Sequence, residues 1–482
     1  MAEDPNEKIY ASECECRQIA LYSIKDENKP YANLLGMAVT FQYHEDIFWP
    51  SYGATMTIVD NQENLISSMP IQGFEKVVVE FEDVVGETYS YAFRVWTVQN
   101  RITRERRNTY TLGLISEEGL RNEGVRINTI IEGNTSAQVK KLLSEYLKVP
   151  VGKIDAEKSA TSIKILPTKK TPFSLIRSLQ QKTVSERTGK IGAAKNSPDK
   201  GGAETSRTVT KTDVNPEIAA KATGTAGYLF FQTRKGHVFR SIDSLVSSDN
   251  EFNGKPPVNL EDPFFMQGAK SGEESRKRIQ EIVFGNELNI MKKMREGAYS
   301  SLCCFFNINT HEYEEQVYRL SDMWKDMAHM GSQTKLGGGQ EYLSKYPSRV
   351  MSTIVNHENH YMGSEVASNE DKHGGDGDNS YPDWQKQFLA QGISRLGILF
   401  NQELSISLTG HLELCAGDKV EVRIPNQKPD DELRAVWDPE HSGTYLIKNL
   451  NHQFNIPGKS VYTVLQLIRD SYGIKDQESN VK

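Results

Sequence analysis

The nearest approach to a metal-catalytic motif in this 482-residue chain is His357-Glu358-Asn359-His360. A zinc peptidase helix needs HExxH, because an i, i+4 pair sets both imidazoles on one face with the glutamate beside the metal. Here the histidines are three apart, no third ligand is signalled, and the surroundings are rich in Gly and Asn. The five cysteines, Cys14, Cys16, Cys303, Cys304 and Cys415, are odd in number and badly spaced for a disulfide framework, which points to reduced thiols. Cys14 and Cys16 lack the second pair that a zinc site requires. Cys303 and Cys304 are adjacent, so in a strand they face opposite sides and cannot chelate one ion together.

Paired carboxylates would be the signature of a lytic, sugar-cleaving activity. Glu80 and Glu82 fall on one face of a predicted strand, and Asp376 and Asp378 lie in a glycine-rich stretch. Neither pair has an apolar pocket in evidence to raise one pKa for acid catalysis, so both read as solvated faces. No GxSxG, GxxxxGK[ST] or GxGxxG occurs, and Gly337 to Gly339 lack the preceding strand and the lysine of a phosphate loop. Arg101, Arg104, Arg106 and Arg107 form the notable basic cluster. It has no interleaved aromatics for base stacking. The residues therefore predict no catalytic residue, no cofactor and no metal.

The composition agrees. Lys and Arg number 57 against 64 Asp and Glu, for a net charge of -7, so there is no cationic excess with which to hold a phosphate backbone. Mean hydropathy is -0.56, and no stretch approaches the roughly 20 apolar residues that span a bilayer. The first residues carry Glu3, Asp4 and Glu7 without an apolar core, the wrong chemistry for a signal peptide, and predict synthesis in a cytoplasm. The length predicts roughly three domains.

The elements are mainly β. Residues 1–118 read as a compact β domain: Met37 to Gln42 and Ala54 to Val59 alternate apolar and polar, Val77 to Phe81 follows less cleanly, and Tyr89 to Val98 is aromatic and valine-rich. Residues 119–280 read as an α/β middle domain. Ser136 to Leu147 and the segment opened by Thr171-Pro172 have helical spacing, and Tyr228 to Phe231 with His237 to Ile242 form a hairpin about Lys235-Gly236. Residues 185–223 inside it, without aromatics, predict a disordered insertion. Residues 281–396 are expected to start a second β domain, with strands at Leu288 to Met294 and Tyr299 to Asn307, a helix from Tyr313 to Trp324, a polar loop insertion over 331–378, and a helix over Tyr381 to Leu396. Residues 397–473 complete that domain, and 474–482 form a polar tail.

The two β blocks match each other. With Tyr110-Thr111-Leu112 set on Tyr462-Thr463-Val464, and without a gap, Phe93 falls on Tyr445, Val95 on Ile447, Val98 on Leu450, Asn100 on His452 and Ile102 on Phe454. Upstream, Gly73, Lys76, Val77, Val79 and Phe81 match Ala416, Lys419, Val420, Val422 and Ile424. Alternation alone is shared by any two amphipathic hairpins, but here the order, the hairpin length and the return strand agree as well. The fold expected is two β-barrel domains from an internal duplication, with α+β insertions and an α/β middle domain. A trimer of such chains presents six like units about one axis, and so can join something three-fold to something six-fold.

In this order of elements the sequence resembles the baseplate hub proteins, or tail-tube initiators, of contractile-tailed bacteriophages, related to the amino-terminal part of type VI secretion spike proteins. The β domain ending at Tyr110 to Ile115 resembles the family's first tube domain. The helix after Pro172 with Tyr228-Leu229-Phe230-Phe231 and Gly236 to Phe239 resembles its middle domain, and Gly410 to Ile424, Thr444 to Leu450 and Val461 to Ile468 resemble the closing strands of its second tube domain. The resemblance implies a non-enzymatic homotrimer in the virion tail baseplate. It implies as partners a trimeric central spike protein, a hexameric tail-tube protein or initiator ring, a tape-measure protein and baseplate wedge proteins, with DNA passing along the bore and no sequence-specific nucleic-acid or membrane partner. The strands it assigns to the tube domains are those of Val77, Val79, Phe93, Val95, Tyr110, Leu112, Val420, Val422, Tyr445, Ile447, Tyr462 and Val464, with Arg104, Arg106 and Arg107 as a candidate interface tip. The alternative is a type VI-like spike component or a baseplate-associated lytic enzyme whose activity lies in the insertions. A spike would continue into a carboxy-terminal β-helix, whereas this chain ends in a polar tail.

Overall fold

The computed structural model describes residues 12–61, 71–104, 107–186, 226–247, 252, 254–261, 275–285, 289–307, 311, 313–324, 327–331, 346–355, 361–362, 384–425, 437–438 and 440–473. The insertion expected at 185–223 lies outside them from residue 187 onward.

Seven strands open the chain: β1 (Glu15–Ser23), β2 (Asp26–Asn33), β3 (Ala38–Asp46), β4 (Gly53–Asp60), β5 (Lys76–Glu82), β6 (Thr88–Arg104) and β7 (Arg107–Ile115). Their sequences alternate, and so does their burial: in β5, Val77, Val79 and Phe81 are buried while the residues between them are half-exposed. That period of two puts one apolar face on a core. Helix α1 (Glu117–Gly124) follows, capped by the Ser116 side chain accepting from the Gly119 N–H.

Next come β8 (Ile131–Asn134), α2 (Thr135–Lys141), β9 (Ile154–Ala156), β10 (Ser162–Ile165), α3 (Pro172–Gln180), β11 (Tyr228–Thr233), β12 (Gly236–Ser241) and α4 (Ile242–Val246). Pro172 stands in the first turn of α3, where its missing N–H costs nothing, and Thr171 caps it. Phe173, Leu175, Ile176 and Leu179 turn inward to a second core with Leu142, Leu143, Phe230 and Phe239. β11 and β12 pair from Tyr228–Ser241 to Thr233–Gly236.

The remaining elements are β13 (Val258–Glu261), β14 (Ile279–Phe284), α5 (Ile290–Glu296), β15 (Ser300–Asn307), β16 (Tyr313–Arg319), α6 (Leu320–Met323), β17 (Arg349–Val355), β18 (Tyr361–Met362), α7 (Trp384–Ile398), β19 (Gln402–Thr409), β20 (Lys419–Arg423), β21 (Gly443–Asn455) and β22 (Ser460–Arg469). Three sequence expectations fail here. Leu288 to Met294, expected as a strand, is largely helix α5, closed at both ends by Asn289, which accepts from the Lys292 N–H, and by Gly297 at φ +77°. Tyr313 to Trp324, expected as a helix, is strand through Arg319, because β16 pairs with β15 along its whole length; a sheet partner overrides the helix-forming Glu residues. The expected loop 331–378 contains β17, which pairs parallel to β15.

A 13-stranded sheet joins both β blocks in the order β14-β19-β22-β21-β3-β4-β7-β6-β5-β1-β2, with β20 beside β21 and β13 beside β20. In the first block β3 pairs with β4, β4 with β7, β7 with β6 and β6 with β5. In the second, β14 pairs with β19, β19 with β22, β22 with β21 and β21 with β20, all antiparallel as in the first. The blocks meet where β3 pairs with β21, Thr40–Asn455 to Asp46–Asn449. Their apolar faces merge into one core, in which Phe454 stacks on Phe81 at 3.8 Å and lies 5.6 Å from Phe41.

Candidate assembly surface

Glu82 pairs with Arg17, and Glu80 sits beside it on the half-exposed face of β5. His357 to His360, Asp376, Asp378 and Gly337 to Gly339 lie outside the described residues. Among the described residues no cluster of three or more His, Cys, Asp or Glu side chains could hold a metal, and no helix is long and apolar enough to cross a membrane. Burial pushes the Cys16 thiol up to about 12 and Cys303 to about 11, and raises Cys415 well above its ordinary value. A thiol held protonated in this way is a poor nucleophile.

An open groove of about 410 Å³ crosses β3, β4, β6 and β7, bordered by Trp49 and Trp96, with His44, Glu45 and Asp46 along it. Its acids are committed. Burial raises the pKa of Glu45, but its oxygens accept from Tyr43 Oη at 2.6 Å, the Arg234 N–H at 2.6 Å and the Ala416 N–H at 2.7 Å. Asp46 accepts from the Phe48 N–H at 2.7 Å and from Asn449 Nδ2 at 3.3 Å. With three donors on one carboxylate and two on the other, both acids hold chain segments together and neither faces a substrate with a free oxygen.

The sheet itself supplies the surface. Directly paired residues in an antiparallel ladder share a face. One such row runs through Thr409, Tyr462, Gln453, Gln42, Thr55, Gly113 and Thr97 across seven strands. The next runs through Ser460, Asn455, Thr40, Thr57, Thr111 and Gln99. Both rows lie opposite the apolar core, and both are built of hydroxyls and amides without a charge, the first with one glycine and one tyrosine besides.

Of the expected strand residues, Val77, Val79, Phe93, Val95, Tyr110, Leu112, Val420, Val422, Tyr445 and Ile447 belong to the shared core. They build the strands and are buried among one another. Tyr462, 44 % exposed, and half-buried Val464 face the opposite way. The ungapped hairpin match therefore slips by one on the return strand. Both outgoing strands bulge at the equivalent residue, Trp96 and Lys448, but β6 has a second irregularity between Gln99 and Ile102 that β21 lacks. The tip after Asn455 is two residues longer than the tip after Arg104. Core-facing Tyr110 thus corresponds to buried Thr463, and Leu112 to Leu465.

Arg101, Arg104 and Arg107 stand exposed at the end of the β6–β7 hairpin, where Arg104 pairs with Arg107; Arg106 lies outside the described residues. The second hairpin tip is enclosed instead, since Leu450 and Phe454 are buried where their counterparts Val98 and Thr103 are exposed. The two hairpins are legible in the sequence; the difference in their exposure is carried by no residue type, because it comes from β3 pairing with one and not the other.

No protein-family model matches the sequence, and no curated protein matches it. The solved structures it resembles include phage tail proteins and type VI secretion components. A tail protein from Neisseria meningitidis aligns with 94 % of this chain and 96 % of its own at 11 % identity, TM-score 0.46. The prophage MuSo2 43 kDa tail protein from Shewanella oneidensis aligns with 94 % of this chain and 99 % of its own at 9 % identity, TM-score 0.48. The Francisella PdpA-VgrG complex aligns with 98 % of this chain and 59 % of its own at 9 % identity, TM-score 0.44.

Proposed function

We propose that this chain is a non-enzymatic structural protein of a phage-type tail: a homotrimeric baseplate hub that adapts a three-fold central spike to a six-fold tail tube. The observation that carries this reading is the repeated strand order. β3-β4-β7-β6-β5 and β14-β19-β22-β21-β20 follow the same chain order and the same pairings, as two tube domains from an internal duplication would. They already stand side by side in one sheet, so one chain holds one joint between like units, and three chains would supply six units about an axis.

In this reading the uncharged rows of Thr, Ser, Asn and Gln face the bore. Rows without Lys or Arg have no cations to displace the counterions of DNA phosphates, so DNA and a tape-measure protein could pass along them without being held. One end of the ring would seat on the spike, the other would start the tube, and wedge proteins would surround it. The test is the mass of the purified chain by light scattering, alone and with a trimeric spike protein, followed by electron microscopy after tube protein is added. Three-chain particles that nucleate tubes are expected. A chain that stays monomeric with and without the spike overturns the hub.

A further inference from the structure

The internal joint has a counterpart whose two halves are left open. Within the chain, β3 lies antiparallel to the outer half of β21, from Asn449 to Asn455. In the second strand set β14 holds the place that β3 holds in the first. Each pairs with the next strand of its set, and each has a bulge one residue from its start, between Ala38 and Thr40 in β3 and between Ile279 and Glu281 in β14. The outer half of β6 holds the place of the outer half of β21. It pairs with β7 on one side, while β5 ends its pairing at Arg94 on the other. Among the described residues β14 pairs with β19 alone at the end of the sheet.

We propose that β14 of one protomer adds to the outer half of β6 of the next, repeating between chains the joint that β3 and β21 make within one. This rests on the ring-forming reading above and names the edges that close the ring. Open strand edges are templates for a further strand, and native proteins cover or charge them. Among the described residues no strand covers these two, and apolar residues stand on them: Val283 is 52 % and Phe284 45 % exposed, against 53 % for Ile102 and 37 % for Val98. The β3·β21 register, carried over and corrected for the extra residue beside Asn100, sets Val283 opposite Ile102 and Glu281 opposite Arg104. The charges are opposite, and like charges at such a position would repel. Phe284 and Val98 take the places of Tyr43 and Leu450, which at the internal joint are 1 % and 0 % exposed. The contact is head to tail, each protomer giving β14 to one neighbour and β6 to the other, so it propagates until the ring closes.

The full-length Ile102→Cys/Val283→Cys double variant, treated with a short bismaleimide and resolved in denaturing gels, tests this pairing. Covalent dimers and trimers are expected, and a mixture of the two single variants should stop at dimers. Glu281→Arg or Arg104→Glu should weaken each contact by roughly fivefold, and the two together should restore it, which separates a lost contact from a lost fold. Three-chain particles that link no better than the single variants would overturn the edge pairing and leave the hub standing. Chains that remain monomeric alone and with a spike protein would overturn both.

Discussion

His237 shows what the interior does to a titrating side chain. It lies 1 % exposed, stacked on Phe230 at 6.0 Å with Phe173 at the same distance, and neither ring nitrogen has a hydrogen-bond partner among the described residues. Burial holds its pKa down at about 3, and likewise His452 at about 3 and His411 at about 4. In the unfolded chain each takes up its proton near the ordinary 6.5. Between that value and the depressed one the unfolded state binds more protons. Stability is therefore fully present above about pH 6.5 and falls as the pH drops toward 4, by up to about 1.4 kcal/mol per pH unit for each histidine. His237→Phe removes one of the three protons. Its unfolding midpoint should fall less between pH 7 and pH 5 than that of the parent; an unchanged acid slope would show that His237 is not among the groups that set it.

Elements meet at glycines and buried ions that alternation does not reveal. Gly236 sits in the β11–β12 turn at φ +148°, where a Cβ would collide with the Lys153 carbonyl oxygen at the start of β9. Gly236→Ala should cost about 2 kcal/mol or more in denaturant unfolding, from the backbone strain and the displaced β9. Gly36→Ala, where nothing lies within 4 Å, should change little and serves as the control. The hairpin itself was legible, because Tyr228 to Phe231 and His237 to Ile242 are apolar runs about Lys235-Gly236. So were β3 to β7 and β19 to β22, whose period of two is set by a single buried face. β15 to β17 were less legible, since β16 owes its strand to β15 and β17 lies within a polar stretch. Nor did any pattern announce Arg395, fully buried in α7, which pairs with Asp243 of α4 at 2.9 Å and Asp470 after β22 at 2.8 Å. An ion pair across three separate segments leaves no local periodicity, and the candidate joint was hidden for the same reason: strand order is legible in a sequence, but which edge remains open is not.

At the scale of the whole molecule the sheet, the β11–β12 hairpin and the loop before β20 meet on one carboxylate. Glu45 leaves β3 and accepts the Arg234 N–H from the hairpin and the Ala416 N–H from the loop, while the Arg234 guanidinium lies over the Tyr89 ring at 4.8 Å. Two backbone donors, one part-buried and one buried, from segments 189 and 371 residues away thus have a shared acceptor, and without it each bears its desolvation cost unpaid by any hydrogen bond. Glu45→Ala should therefore destabilise the chain by roughly 2 to 5 kcal/mol, with a pattern that distinguishes a tie between regions from ordinary core packing. Hydrogen exchange should rise first at the amides of Arg234 and Ala416 and their neighbours, while those of β4 and β7 keep their protection. The same variant bears on the ring, because Glu45 lies in β3 two residues from Tyr43, within the joint that the β14·β6 contact is argued to copy. Loosening the internal joint should leave the contact between chains intact, since the groups that hydrogen-bond to Glu45 belong to Tyr43, Arg234 and Ala416 and to neither β14 nor the outer half of β6. Linking of Ile102→Cys to Val283→Cys should then persist in the Glu45→Ala background at a temperature where the fold survives. Uniform loss of protection across the sheet would instead make Glu45 a core residue like any other and remove its role as the tie among the three segments.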